Sequence, residues 1–212
     1  MPGPTRQCFD WTDERASGPE AQPWHRDEPP ALLQRAVAER ERPGRALDIG
    51  CGAGLHVPWL ARQGWAVTGL DFSEPAIAMA RRTLASAGVS VELVHGDVLA
   101  WSTTERFDLI VDSGCMHAFG GDDRQRYRDR VLGWLADGDD YVLAQFDKRH
   151  ALDWRPMGPR RLAAGTVLPL FVPPLVDRGR EYVVHPVPFP IGPTVRVGIY
   201  WLHRPAAERA AG

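Results

Sequence analysis

Residues 47–54 read Leu47-Asp48-Ile49-Gly50-Cys51-Gly52-Ala53-Gly54. Three glycines at alternate positions follow a short apolar run, Ala46 to Ile49, and precede a segment with helical periodicity. An apolar run that ends in a glycine-rich turn and restarts as a helix is the strand–loop–helix unit of a parallel α/β sheet. Glycine has no Cβ, so such a turn can be sharp and a ligand can approach the backbone closely. The spacing is G-x-G-x-G. Dinucleotide loops use G-x-G-x-x-G with pyrophosphate at the helix N-terminus, and position 55 here is leucine. A nicotinamide dinucleotide therefore fits poorly.

Strand and helix patterns alternate on both sides of this loop. Upstream, Pro30 to Arg40 reads as a helix with Leu32, Leu33, Ala36 and Val37 on one stripe, and Pro43-Gly44 breaks it. Downstream, Leu55 to Gln63 is a predicted helix and Ala66 to Asp71 a second strand. Ser73 caps a helix that runs to Ala87 with Pro75 in its first turn, and Gly88 ends it. Val89 to Val94 and Phe107 to Asp112 are the third and fourth strands, with room for a helix between them. The fourth is apolar on both faces, as buried parallel strands are. Asp122 to Ala136 is a helix and Tyr141 to Phe146 the fifth strand. A short helix near Arg161 to Leu170 and strands Tyr182 to Val187 and Val195 to His203 complete the order. This order predicts a doubly wound, seven-stranded, mostly parallel sheet with an antiparallel C-terminal strand, in three αβα layers. Residues 1–30 are polar and carry Trp11 and Trp24, and read either as a frayed tail or as an arm that covers a pocket. Residues 31–212 form a single domain.

Four strand ends each supply an acid. Asp48 ends the first, Asp71 the second, Asp97 follows the third in His95-Gly96-Asp97-Val98, and Asp112 ends the fourth. Ligands of open α/β sheets bind at these carboxyl ends. An acid about 20 residues past the glycines can accept from both hydroxyls of a ribose.

The pattern LDIGCGAG, GLDFS, HGDV, FDLIVDSG, in that order, resembles the class I S-adenosylmethionine (SAM)-dependent methyltransferases over roughly residues 45–146. The resemblance implies a Rossmann-like fold and SAM as cofactor, with S-adenosylhomocysteine as product. It implies that Gly50, Cys51, Gly52 and Gly54 pack against the amino-acid portion of SAM. Asp48 would support the loop or meet the SAM amino group. Asp71, with Phe72 beside it, would bind the ribose, Asp97 the adenine amine, and Val98 would touch the ring. Asp112 completes the cofactor set. A narrower similarity, to the small thiopurine-methyltransferase-like enzymes, rests on Asp112-Ser113-Gly114-Cys115-Met116-His117-Ala118-Phe119, Asp122-Asp123-Arg124 and Pro23-Trp24. The turn Ala136-Asp137-Gly138-Asp139-Asp140 departs from the usual P-G-G.

His117 and Asp112 are the catalytic candidates. A histidine beside the transfer point can take a proton from an acceptor, since its ordinary pKa is about 6.5. The bland reading is local packing. Trp11, Trp24, His117 and Trp154 are candidate acceptor contacts, and Phe171, Phe189 and Trp201 either line a pocket or fill core. Asp112 and Asp147 could pair around Mg²⁺, but hard cations need several oxygen ligands and Lys148 follows directly, so no metal is expected.

A formal net charge of -2 gives no bid for nucleic acid or an anionic membrane. The three cysteines, Cys8, Cys51 and Cys115, form no C-x-x-C pair, so a reducing, cytoplasmic setting is expected. The N-terminus has no apolar signal region, and the longest apolar stretch, Leu168 to Val176, is too short to span a bilayer. The leading reading is methyl transfer to a small-molecule acceptor, a thiol, hydroxyl or amine on an aromatic or heterocyclic ring, by a monomer or homodimer. A non-catalytic SAM binder, and nucleic-acid or protein methylation, are the alternatives.

Overall fold

The β-strands of the computed structural model lie in one sheet of order β3-β2-β1-β4-β5-β7-β6. The structure describes residues 28–148, 161–163, 165–186 and 194–207. The strands are β1 (Arg45–Ile49), β2 (Ala66–Asp71), β3 (Glu92–His95), β4 (Phe107–Ser113), β5 (Leu135–Asp147), β6 (Val176–Pro186) and β7 (Thr194–His203). The helices are α1 (Ala31–Ala38), α2 (Val57–Arg62), α3 (Glu74–Ala87), α4 (Asp122–Trp134) and α5 (Val167–Phe171), with one 3-10 turn at Met116–Ala118. Strands β1 to β5 pair in parallel, whereas β7 runs antiparallel to both β5 and β6. This is the predicted seven-stranded Rossmann-like sheet.

Two apolar clusters make the three layers. Leu33, Val57, Leu60, Ile77 and Leu84, from α1 to α3, pack on Ala46, Val67, Leu109 and Val142 of the sheet. Tyr127, Val131 and Trp134 of α4 and Phe171 of α5 pack with Leu47, Leu70, Ile110 and Tyr141 on the other face. Successive strand residues point to opposite faces, so Ala46 and Asp48 share the α1–α3 face while Ile110 and Asp112 share the α4 face. Chain order reverses between β1 and β4, the place where such sheets open a crevice.

Local rules were obeyed closely in α3. The Ser73 hydroxyl accepts from the Ala76 N–H, Pro75 sits in the first turn, and Gly88 ends the helix in the left-handed conformation at φ 68°. Three elements differ from expectation. No helix joins β3 to β4; a tight turn does, in which the Asp97 carbonyl accepts from the Ala100 and Trp101 N–H groups. Helix α4 stops at Trp134, and the residues read as its end and the following turn are the start of β5. The cause is tertiary. Gly138 (φ 86°) sits where the β4–β5 register shifts, its N–H donates to the Arg204 carbonyl, and the Arg204 N–H donates to Asp139. Strand β6 begins at Val176, six residues earlier than the pattern suggested, because β7 pairs along its full length.

The tail aromatics that the structure describes are core, not pocket. Phe171 is fully buried against Tyr141, ring centroids 5.1 Å apart. Trp201 is buried beneath the guanidinium groups of Arg35 and Arg178, 5.3 and 4.9 Å from its ring.

Candidate functional site

The glycine loop leaves β1 at its carboxyl end and is fixed first by backbone bonds: the Gly50 and Cys51 N–H groups both donate to the Leu70 carbonyl of β2. All three glycines have positive φ, but they are glycines for different steric reasons. A Cβ on Gly50 would lie 2.9 Å from the Cys115 Cβ, and one on Gly54 would press on Ala80 of α3 at 3.4 Å. These two admit neighbouring protein. Only at Gly52 would a Cβ meet nothing within 4 Å among the described residues, so the open side of the loop lies there. The Cys51 side chain is buried toward β2, its Sγ 3.0 Å from where a Gly69 Cβ would stand. Any contact it makes with a ligand is through its backbone.

Asp71 ties this loop to β2. One carboxylate oxygen accepts from the Gly52 N–H and the other from the Ser73 N–H, both at 2.8 Å. Asp48, one residue from the end of β1, is almost fully buried, and neither of its oxygens has a hydrogen-bond partner among the described residues. Burial, reinforced by Asp112 and then Asp71, pushes its carboxyl up to about 8. A cation placed beside Asp48 would reverse that shift.

The pH dependence of the free protein reports this carboxyl. An unfolded aspartate titrates near 4. The raised folded value means that Asp48 adds stability below about pH 4 that is lost as pH rises through about 8. Asp112 behaves likewise through about 6. Burial lowers His56 to about 4 and His117 to about 3. Their contributions run the opposite way and are complete above about 6.5. Between pH 6.5 and 8 Asp48 therefore dominates among these four groups. Unfolding free energy should fall by about 1 kcal/mol per pH unit in that window, and Asp48→Asn should flatten the slope. Urea titrations of both proteins at pH 6.5, 7.2 and 8 check this; parallel slopes would rule it out.

Asp112 is a brace. Fully buried, its carboxylate accepts from the N–H groups of Gly114, Cys115 and Met116 at 2.9, 2.6 and 2.9 Å, and from the Tyr127 hydroxyl. Tyr127 in turn lies 3.2 Å from the Tyr141 hydroxyl. Burial still raises Asp112 to about 6 against these bonds. Four internal donors thus occupy this carboxylate, and the sequence readings had named none of them. His117 is fully buried with its ring edge-on to Phe146, centroids 5.0 Å apart. With its pKa lowered to about 3 by burial it is neutral at working pH, but too weak a base to deprotonate a thiol or phenol.

Residues 46–138 match a family model described as a methyltransferase domain. This segment, from β1 into the start of β5, is similar to methyltransferase domains. Over 143 residues it is 31% identical to a probable thiol methyltransferase 2 of Arabidopsis thaliana, covering 66% of this chain and 61% of that one. It is 35% identical over 118 residues to the ribosomal RNA small subunit methyltransferase C of Alcanivorax borkumensis, covering 55% of this chain and 35% of that one. The chain thus spans only about a third to three-fifths of the curated relatives it matches. The fold overlays that of the N-methyltransferase NodS from Bradyrhizobium japonicum with a TM-score of 0.72 and 21% identity, covering 94% and 98% of the two chains.

The third strand end is closed by contacts the sequence did not announce. The His95 ring lies 3.0 Å from the Phe72 carbonyl, and the Gly96 N–H donates to Asp71. Asp97 accepts from the Leu99 N–H at 2.9 Å, and Val98 is buried in the core below. A second unannounced contact spans the crevice: His56 Nε2 lies 2.7 Å from the Ser113 hydroxyl. His56 had looked like a helix residue, and only a fold that brings β1 beside β4 pairs it. Asp147, the other acid of the conceivable metal pair, accepts from Gln145 and Tyr200. Among the described residues no cluster of three or more His, Cys, Asp or Glu could hold a metal ion, and no helix is long and apolar enough to cross a membrane. Trp11, Trp24, Trp154 and Phe189 lie outside the described residues, as do the arm's residues 1–27.

Proposed function

We propose that this protein transfers the methyl group of SAM to a small-molecule acceptor. The observation that carries the reading is the cradle at the ends of β1 and β2: a loop open at Gly52, Asp71 tied to that loop, and Asp48 buried without a hydrogen-bond partner among the described residues. These residues fit a nucleoside joined to an amino acid. Asp71 would accept from the ribose hydroxyls and Asp97 from the adenine amine, with Val98 and Phe72 against the ring and sugar. Asp48 would take the ammonium, which explains an otherwise costly buried acid. When bound, SAM supplies a sulfonium methyl already activated for in-line displacement. The chain's own work is then alignment and exclusion of water.

The weak basicity of His117 and the internal commitment of Asp112 bear on the acceptor. An acceptor that ionises near neutral pH needs little base; a thiol titrates near 8.5 and a phenol near 10. This supports an aromatic or heterocyclic thiol ahead of a hydroxyl or amine. The net charge of -2 supports a small molecule over RNA, although one relative is named for ribosomal RNA. A soluble cytoplasmic monomer or homodimer, with residues 31–212 as one domain, completes the proposal.

Thermal unfolding with and without SAM or S-adenosylhomocysteine is the first test. At about 100 times its dissociation constant either ligand should add roughly 2.7 kcal/mol, a shift of several degrees. Turnover of a thiol and phenol panel by mass spectrometry follows. No shift with either ligand would refute the cofactor reading. Binding without turnover would leave a SAM-binding protein, and retention on heparin at moderate salt would reopen nucleic acid.

A further inference from the structure

Strand β4 ends in two adjacent polar residues that face opposite ways. Asp112 is buried toward Tyr127 on α4, while Ser113 is exposed and turned toward His56, in the loop that leads to α2. His56 is buried, and its Nδ1 has no hydrogen-bond partner among the described residues. Burial lowers its pKa to about 4, so the ring is neutral. A neutral imidazole carries one N–H. With the proton on Nε2 the donor is paired, to Ser113 Oγ, and only an acceptor lone pair is left buried; the other tautomer would orphan an N–H. The favoured arrangement is therefore His56 Nε2–H donating to Ser113 Oγ, which turns the Ser113 O–H outward as a free donor.

Where that donor lies is fixed by the glycine loop. The turn after β4 packs on it, since a Cβ at Gly50 would lie 2.9 Å from Cys115. Alternation along the paired strands β1 and β4 puts Ser113 on the same face as Asp48. An amino-acid zwitterion needs an acid for its ammonium and an uncharged or cationic donor for its carboxylate. Asp48 and Ser113 are that pair.

We infer that Ser113, oriented by His56, is the hydroxyl that binds the carboxylate of the cofactor's amino-acid moiety, with His56 as a positioning residue. The inference rests on the SAM reading above and gives a role there to two residues that the sequence analysis left without one.

Calorimetric binding to the full chain separates the two. The probes are S-adenosylhomocysteine, which carries the carboxylate, and 5′-methylthioadenosine, which keeps the nucleoside and lacks the amino-acid part. Ser113→Ala, at an exposed side chain whose one bond is to His56, should weaken S-adenosylhomocysteine about tenfold or more, the loss of one hydrogen bond to a charged group. It should leave methylthioadenosine unchanged. His56→Gln should show the same split in smaller degree, whereas a merely structural His56 would weaken both ligands alike. Equal binding of S-adenosylhomocysteine by Ser113→Ala and wild type would overturn the inference while the cofactor reading stands. So would equal weakening of both probes, or a change confined to acceptor KM. A wild-type chain that bound neither probe would sink the cofactor reading and this inference with it.

Discussion

Asp112→Ala should cost the fold roughly 4 kcal/mol or more, a large part of the 5–15 kcal/mol that holds a typical domain. The substitution leaves three backbone N–H groups, at Gly114, Cys115 and Met116, and the Tyr127 hydroxyl without their acceptor. Each buried donor so stranded costs about 1 kcal/mol or more. Gly114, at φ 111°, has little intrinsic preference for that turn and would lose its chief restraint. The loss should appear in urea unfolding followed by tryptophan fluorescence, with Trp134 of α4 reporting the neighbouring core. Asp112→Asn keeps one acceptor oxygen and should fall between the two, and Tyr127→Phe, which removes a single donor, should cost least. Catalytic loss without loss of stability in Asp112→Ala would contradict the brace and return the residue to chemistry.

Asp71→Ala should remove ligand stabilisation altogether. The wild type gains roughly 2.7 kcal/mol at about 100 times the dissociation constant of S-adenosylhomocysteine. The variant loses both the proposed ribose acceptor and the bonds that hold Gly52 and Ser73 in place. The free protein should also lose about 2 kcal/mol or more, since two N–H groups are left unpaired. The two effects separate by comparison. Asp71→Asn retains an oxygen for one of these N–H groups and should recover part of the stability, but little of the ligand shift. A ligand shift in Asp71→Ala equal to that of wild type, measured by scanning calorimetry, would show that the acid serves only the loop.

Much of the fold was legible because local and global signals agree. Ser73, Pro75 and Gly88 bound α3 as their chemistry requires, and the apolar runs of β1, β2 and β4 fall where the sheet places them. The errors have a common cause in tertiary pairing. Residues 136–140 are polar and glycine-broken, so nothing in them announces a strand; the pairing of Gly138 and Asp139 with Arg204 makes them one. The site divides in the same way. The turn at the three glycines and its link to Asp71 follow the order of the chain, so the sequence could point to them. The brace at Asp112 and the contact between His56 and Ser113 link residues 15 and 57 apart. Single-chain patterns carry no signal for either. The low basicity of His117 was equally hidden, since burial and not residue type sets it.

The back-to-back arrangement at the end of β4 has a consequence for how such a protein can change. Residue 112 answers to the interior on one face and residue 113 to the crevice on the other, yet they are neighbours in sequence. Because strand alternation keeps the two environments apart, substitutions at 113 can be sampled by evolution or by a designer with the scaffold's integrity left to 112. A one-residue insertion or deletion within β4 has no such freedom. It would turn the aspartate to the crevice and the serine to the core, exchanging both roles at once.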